Sequence, residues 1–267
     1  MRKKLSVFSS LAALFALLLC GCSDNVKTAK TALPTLTIGS DIYSPYFYVD
    51  DDGGYAGIDV EIAKEACGRM GVKPVFKQIT WQNKDEILGS GSVDCLWGSF
   101  SMNGRENDYA WAGPYMRSKQ VVVVNASSDM YKLEDLNGKS VAVQNASKPE
   151  QIFLNDELPG VSVKRVYSFS DISTVFAALK KGYADAAAGH ETACCDHIKN
   201  ISGSYRILDG VLLASRLGVA FNKETGQQTA DKLSGILKKM KADGAIKSIL
   251  EKYDLDIDFA LGEDDMQ

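Results

Sequence analysis

The sequence lacks the basic patches typical of nucleic-acid-binding proteins and the repeated long apolar runs typical of multi-pass membrane proteins. Its 30 Lys and Arg residues are outnumbered by 34 Asp and Glu residues, and the lysines are dispersed rather than gathered into a basic patch. A nucleic-acid partner is therefore disfavoured. Beyond one apolar run near the start, no stretch is long and apolar enough for a transmembrane helix. No internal repeat or low-complexity segment occurs, so the composition predicts an ordinary globular protein.

Cysteine is also scarce, and its placement argues against disulfides. Six cysteines occur, two of them at positions 20 and 22. Of the others, Cys67 is expected in an amphipathic helix and Cys95 in an apolar strand. A bridge between the adjacent Cys194 and Cys195 would be strained. Because an unpaired cysteine packs like a small apolar side chain, these four residues are expected to be buried free thiols.

The N-terminal segment predicts export. Basic residues 2–4 precede an apolar run at 11–19 that is too short to span a bilayer comfortably. The run ends in Leu19-Cys20-Gly21-Cys22, which resembles the lipobox of bacterial lipoproteins. The resemblance implies a signal peptide over 1–21, a lipid-modified Cys22 and a flexible tether over 22–33, so that the protein is anchored at the outer face of the cell membrane. The alternative is a plain secretory signal with a free Cys22.

About 230 residues follow, enough for one large or two small domains. Their patterns alternate between strands and helices. The first series predicts strands over 35–40, 75–79 and 93–97, with helices over 59–70 and 85–88. The second predicts strands over 121–125, 141–144, 162–167, 184–188 and 217–222, with helices over 148–155, 171–181, 229–242 and 245–253. This alternation predicts two α/β lobes.

Arg105 is the candidate anion-binding residue. It follows a predicted strand whose end carries the small hydroxyl residues Ser99 and Ser101. A guanidinium offers two parallel donors that match a carboxylate, and the serines can add hydrogen bonds without filling the ligand's space. The alternative is an exposed loop arginine that pairs weakly with Glu106 or Asp108.

A second anion site is predicted at the helix start that follows strand 141–144. Ser147 fits the N-cap, Pro149 the first turn and Glu150 the third position of a capping box. Free amide groups at a helix start attract carboxylates and phosphates. An ordinary capped helix without a ligand is the alternative.

Several motifs together resemble those of the extracellular solute-binding proteins of ABC importers, in the polar amino-acid class (bacterial solute-binding protein family 3). The resemblance covers nearly the whole chain after the tether. Besides Arg105, it rests on the segments GSDIYSPY (39–46), GIDVEI (57–62), WAGPY (111–115), LEDLNGK (133–139), KGYADA (181–186) and KADG (241–244).

The resemblance implies a two-lobe, periplasmic-binding-protein-like α/β fold of type II, with a mixed sheet flanked by helices in each lobe and the ligand cleft at the hinge. Residues 34–122 and 216–267 would form lobe 1, and residues 123–215 would form lobe 2. Such a protein is expected to be a monomer without a cofactor or a catalytic step. It would close on an amino acid or a similar small carboxylate and present it to a membrane permease. An enzyme of the same fold, such as a dehydratase, is the alternative.

The resemblance also implies how the ligand's carboxylate is held. Arg105 would bind it, with Ser99, Ser101 and the backbone amides of Ser147 and Lys148 completing the shell. The loop over 101–105 is one residue shorter than is usual in the family. Which of the two loop serines binds therefore stays open.

Other cleft residues are expected to contact the ligand's side chain. Tyr43 and Trp81 occupy positions where family members place aromatic residues, and Asp41 one where a carboxylate can bind a polar or cationic group. For Tyr43, Tyr46 and Trp81 the alternative is packing at the rim of the cleft. Trp97 is expected in the core because it continues an apolar strand.

The larger departure from the family pattern concerns the ligand's amino group. His190 stands where the family usually carries an Asp that receives the α-ammonium, and a neutral imidazole supplies no compensating charge. Three outcomes stay open. Glu191 replaces the Asp, His190 accepts a hydrogen bond as a neutral tautomer, or the ligand lacks an α-ammonium.

A metal site is the remaining alternative. His190, Cys194 and His197 fall at i, i+4 and i+7, which is one face of a helix, and imidazole with thiolate could hold zinc or copper there. The competing interpretation is a helix start whose cysteines face the core and whose second histidine is solvated.

Overall fold

The computed structural model describes residues 32–262 of the 267 in the chain. The predicted signal peptide, the lipidation site at Cys22 and nearly all of the tether lie outside the described residues. Among residues 32–262, no helix has the length and apolar character needed to cross a membrane.

Strands and helices alternate along the chain, as the sequence predicts. The strands are β1 Thr35–Ser40, β2 Tyr48–Val49, β3 Tyr55–Ala56, β4 Lys73–Gln78, β5 Cys95–Leu96, β6 Ala110–Asn125, β7 Ser140–Gln144, β8 Arg165–Phe169, β9 Ala186–His190, β10 Tyr205–Ile207 and β11 Leu213–Phe221. The helices are α1 Ile58–Met70, α2 Lys84–Gly89, α3 Lys148–Leu154, α4 Ile172–Lys180, α5 Glu191–Asn200, α6 Gln227–Ala242, α7 Ala245–Leu250 and α8 Ile257–Leu261.

One mixed sheet carries most of these strands. Its order is β4-β1-β5-β11-β6-β9-β7-β8, and β10 pairs with β6 off this path. Strands β4, β1 and β5 are parallel neighbours, as are β8, β7 and β9, and the long antiparallel strands β6 and β11 lie between the two groups. Open α/β sheets bind ligands beyond the carboxyl ends of their parallel strands, so the loops that follow β1, β5, β7 and β9 are the candidate ligand-binding segments.

The 16-residue strand β6 is the main connection between the two groups. Its first part pairs with β11, and its last part pairs with β9 and β10. The sequence predicts a strand only over 121–125, because Gly113 and Pro114 interrupt the earlier part. The register shift between Leu217 and Val219 of β11 lies opposite that interruption, and such irregularities are where strands accommodate proline.

Some other boundaries also differ from those predicted. The predicted strand 162–167 begins only at Arg165, and strand 93–97 shortens to Cys95–Leu96. His190 is the last residue of β9 rather than part of α5, which begins at Glu191. The β2–β3 hairpin, β10 and α8 were not predicted, since each is too short to show a clear period.

Three of the four cysteines are buried as the sequence predicts. Cys67, Cys95 and Cys194 are buried in the largest hydrophobic cluster, and Cys195 is half-buried. Burial raises the pKa of the Cys67 thiol to about 11, so this group stays protonated at neutral pH. None of the four cysteines in residues 32–262 forms a disulfide.

Candidate functional site

One cleft brings together nine of the ten predicted ligand-binding residues. It lies where the ends of β1 and β5 face the ends of β7 and β9. Its lining includes Asp41, Tyr43, Trp81, Ser99, Ser101, Arg105, Ser147, Lys148 and His190, together with Gln120 and Gln144, which were not predicted. The free space between these side chains is about 40 Å³.

Arg105 enters this cleft without an acidic partner. Its Nη1 donates to the carbonyl oxygen of Ser101 at 3.3 Å, and its guanidinium carbon lies 5.4 Å from the centre of the Phe100 ring. No carboxylate within residues 32–262 forms an ion pair with it, and Glu106 instead accepts from Arg216 at 2.7 Å. Burial lowers the pKa of Arg105 from its ordinary value of 12.5. The guanidinium therefore has donors left for an anion.

The loop that carries Ser99 is held by a buried carboxylate. The backbone N–H of Ser99 donates to Asp59 Oδ2 at 2.6 Å, and Tyr115 donates to Asp59 Oδ1 at 2.7 Å. Asp59 lies in the first turn of α1, where acidic groups are favourable, and it is 1% exposed. Ser99 itself has φ 44°, a left-handed conformation that a non-glycine residue keeps only where neighbours hold it. Asp59 therefore shapes the wall of the cleft.

We expect this carboxyl group to make stability depend on pH. Burial raises the pKa of Asp59 from 3.8 to about 7, so between these values the folded state binds more protons than the unfolded one. The contribution of Asp59 to the free energy of unfolding is therefore fully present below about pH 4 and is lost as the pH rises through about 7. Urea unfolding across this range should show the advantage of wild type over Asp59→Asn shrinking by a few kcal/mol as the pH rises, at most about 1.4 kcal/mol per pH unit. Parallel stability curves would contradict this assignment.

Ser147 caps α3 as predicted, but the side chain of Glu150 bonds to Ala146 rather than to the N-cap residue. Ser147 Oγ accepts from the backbone N–H of Glu150 at 3.2 Å, as in a capping box. The Glu150 carboxylate accepts from Ala146 N at 2.6 Å, and the amide of Ser147 donates to Gln144 O at 3.3 Å. The Ser147 amide is thus already used within the turn, and the predicted ligand contact from it would require that bond to change.

Asp41 lies on the opposite wall as a buried acid. It accepts from Gln144 Nε2 at 2.5 Å, and burial raises the pKa of its carboxyl to about 6. Trp81 packs edge-on against Phe100 with ring centres 4.9 Å apart. Trp97 lies fully buried in the largest hydrophobic cluster, as predicted.

His190 belongs to a neutral hydrogen-bonded group beneath the cleft. Its Nδ1 lies 2.9 Å from Ser118 Oγ, its Nε2 lies 2.9 Å from Gln120 Nε2, and its backbone N–H donates to the Tyr43 hydroxyl at 3.2 Å. Burial lowers the pKa of His190 to about 4, so the imidazole is uncharged at neutral pH. The group supplies hydrogen bonds but no charge.

Glu191 is the one predicted ligand-binding residue that the structure places elsewhere. Its carboxylate lies 3.5 Å from Lys119 Nζ and lines a different cavity, next to α8. The reason is its position as the first residue of α5, after His190 ends the strand. The expectation that Glu191 turns into the cleft in place of an Asp is therefore not met.

The three candidate metal ligands are also not brought together. His190 points to Ser118 and Gln120, whereas Cys194 is buried in the main core and His197 stacks on Phe176 with ring centres 4.9 Å apart. The predicted helical face fails because His190 is not part of the helix. Among residues 32–262, no three His, Cys, Asp or Glu side chains are grouped closely enough to hold a metal.

Sequence reasoning missed Gln120 and Gln144 as cleft residues. Gln144 ends β7 three residues before the N-cap Ser147, and a polar side chain at a strand end can face a cleft, so the sequence does carry a signal for it. Gln120 lies in the middle of β6, next to a run of four valines, and gave no signal of its own.

Comparison with known proteins identifies relatives of the whole described region. The model of the bacterial extracellular solute-binding proteins, family 3, matches residues 36–256. The chain is 26% identical to the L-cystine-binding protein TcyA of Bacillus subtilis (strain 168), over 95% of this chain and 97% of the relative. An ancestral arginine-binding protein bound to glutamine superposes with a TM-score of 0.74 at 28% identity, over 82% of this chain and 97% of that one.

A third relative connects this fold with an enzyme. It is the ancestral amino acid-binding protein AncCDT-1, a precursor of cyclohexadienyl dehydratase, with a TM-score of 0.72 and 25% identity over 82% of this chain and 95% of that one. Together with the mixed sheet, these likenesses confirm the predicted type II periplasmic-binding-protein fold.

Proposed function

The chain belongs to family 3 of the bacterial extracellular solute-binding proteins, and we propose that it captures an amino acid or similar small carboxylate in the cleft around Arg105. The captured solute would then pass to the membrane permease of an ABC importer. The relatives named for cystine and arginine support an amino-acid ligand for this chain.

The observation that carries this proposal is the half-buried guanidinium of Arg105, which forms no ion pair within residues 32–262. Arg105 lies in a cleft whose lining also includes the hydroxyls of Ser99 and Ser101, a second cation at Lys148 and one carboxylate, Asp41. A carboxylate would meet the two parallel donors of the guanidinium and accept further bonds from the serines. It would also supply negative charge to a cation that is partly removed from water.

The cleft as it stands is narrow, and binding requires it to open. Its free space of about 40 Å³ holds roughly three waters at 10–15 Å³ each. We propose that residues 34–122 and 216–267 move as one lobe against residues 123–215, with β6 and β11 as the hinge strands. Ligand bonds from both lobes would favour the closed form, which the permease could then recognise.

The location of the protein follows in part from its family. The described part of the chain acts outside the cytoplasm, and we propose a lipid on Cys22 as the anchor that keeps it near the permease. We further propose that it works as a monomer and that it does not turn its ligand over. The dehydratase alternative would need an acid or base in the cleft, and Asp41, with a pKa of about 6, is the candidate.

The test is ligand binding by the refolded domain without a tag. Refolding from denaturant removes any ligand carried through purification, and a true ligand then raises the unfolding temperature by mass action. We expect at least one of L-cystine, L-arginine, L-glutamine and L-glutamate to do so and to be recovered unchanged. No shift with any amino acid or simple carboxylate would contradict the proposal, and a changed product would favour the enzyme.

A further inference from the structure

Gln120 is a buried polar side chain in the cleft wall with one unused atom. It lies in β6, is 1% exposed and pairs across the sheet with His190. Its amide nitrogen lies 2.9 Å from His190 Nε2 and donates to Ser215 Oγ at 3.3 Å. Its Oε1 is buried and has no hydrogen-bond partner within residues 32–262. Because an unpaired buried acceptor is unfavourable, a donor from a ligand would satisfy it.

The neighbouring imidazole has no acceptor to spare. The Nδ1 of His190 lies 2.9 Å from Ser118 Oγ and 3.2 Å from Gln120 Nε2, and its Nε2 lies 2.9 Å from Gln120 Nε2. A neutral imidazole has one acceptor nitrogen, and in either tautomer that nitrogen already has a donor within hydrogen-bond distance. Ser118 is in turn held by the Tyr46 hydroxyl at 3.0 Å, so the ring has little freedom to turn toward the cleft. A ligand donor that arrives here meets Gln120 rather than His190.

We propose that Gln120 Oε1 accepts a hydrogen bond from the α-amino group of the ligand, and that His190 is a positioning residue that fixes the Gln120 amide. This inference rests on the proposed function, because it requires an amino-acid-like ligand in the cleft. Among the described residues that line the cleft, Asp41 is the one carboxylate, so it supplies the negative charge for the ammonium. The Gln120 amide then orients the ligand's amino group through a hydrogen bond, and the Asp41 carboxylate balances its positive charge.

The experiment compares an amino acid with its analogue that lacks the α-amino group. L-Glutamine with glutaramate and L-glutamate with glutarate are the probe pairs, and affinities are measured by titration calorimetry on the refolded domain. Gln120→Met should weaken amino-acid binding about tenfold to a hundredfold while leaving the analogue unchanged. Gln120→Glu, which keeps the side-chain size, should increase the preference for the amino acid about tenfold. Gln228→Met, the same substitution at an exposed position of α6, is the matched control.

His190 is tested as a positioning residue by a double-mutant cycle. His190→Ala should lose part of the preference for the amino acid in the wild-type background and none further in the Gln120→Met background. An equal loss in both backgrounds would mean that His190 contacts the ligand itself, which overturns the assignment.

Other results would also overturn the proposed role of Gln120. If Gln120→Met weakens the amino acid and its analogue equally, the role of Gln120 is structural. If wild type binds both members of every pair alike, Gln120 does not recognise the amino group. If wild type binds neither member of any pair and no other amino acid, the proposed function fails and this inference fails with it.

Discussion

Arg105→Ala is expected to leave the fold intact and to weaken ligand binding by about 2 to 5 kcal/mol. The guanidinium forms no ion pair within residues 32–262, and its one hydrogen bond in that part of the chain is to Ser101 O at 3.3 Å. Its removal therefore breaks little of the protein itself. The bound carboxylate, in contrast, would lose two charge-assisted bonds and remain in a closed, partly dry cleft. Calorimetry with the best ligand, alongside thermal unfolding of the ligand-free protein, checks both parts.

Two further variants sharpen the result. Arg69→Ala removes an exposed arginine of α1 that pairs with Asp243 at 2.5 Å and lies outside the cleft lining, so it should leave affinity unchanged. Arg105→Lys keeps the charge but loses the planar pair of donors, so its affinity should fall between those of wild type and Arg105→Ala. If Arg105→Ala binds as tightly as wild type, the carboxylate is held elsewhere.

The sequence was sufficient to locate most of the cleft because its residues follow strand ends. Asp41 directly follows β1, and Ser99 and Ser101 follow β5, while His190 ends β9. In parallel strands these ends lie at one edge of the sheet, so residues far apart in sequence are expected to meet. Their roles in binding stay predictions until ligands are tested.

What the sequence could not give depends on contacts between distant segments. The orientation of Glu191 is decided by Lys119 on β6, and the buried state of Gln120 by His190 and Ser215 on neighbouring strands. Neither is visible as a local pattern. The alternative metal site depended on helical spacing between positions 190, 194 and 197, and it is not formed because His190 ends a strand. The exact end of an element is the least reliable part of a periodicity argument.

The second large effect is predicted for the turn before α1. A glycine in this turn has a backbone conformation on which the start of α1, and through it the shape of the cleft, depends. Gly57 has φ 120° and ψ 174°, a conformation that is essentially restricted to glycine. A Cβ placed there would lie 2.4 Å from Tyr46 O and 2.7 Å from Pro45 O. These two carbonyls accept the N–H groups of Asp59 and Ile58, both at 3.0 Å. The clash cannot be relieved without disturbing the start of the helix.

We therefore expect Gly57→Ala to reduce the free energy of unfolding by about 3 to 5 kcal/mol, which combines backbone strain with two disturbed hydrogen bonds. Because Asp59 holds the Ser99 loop, ligand affinity should fall as well.

Gly71→Ala is the matched control at the other end of α1. It also has a positive φ, of 73°, but nothing lies within 4 Å of the added Cβ. Its cost should be limited to about 1 to 2 kcal/mol of left-handed strain, with affinity unchanged. Equal losses in urea unfolding for the two variants would show that the contact with Tyr46 O is relieved cheaply. Unchanged ligand affinity of Gly57→Ala would show that the loop around Ser99 does not depend on this turn.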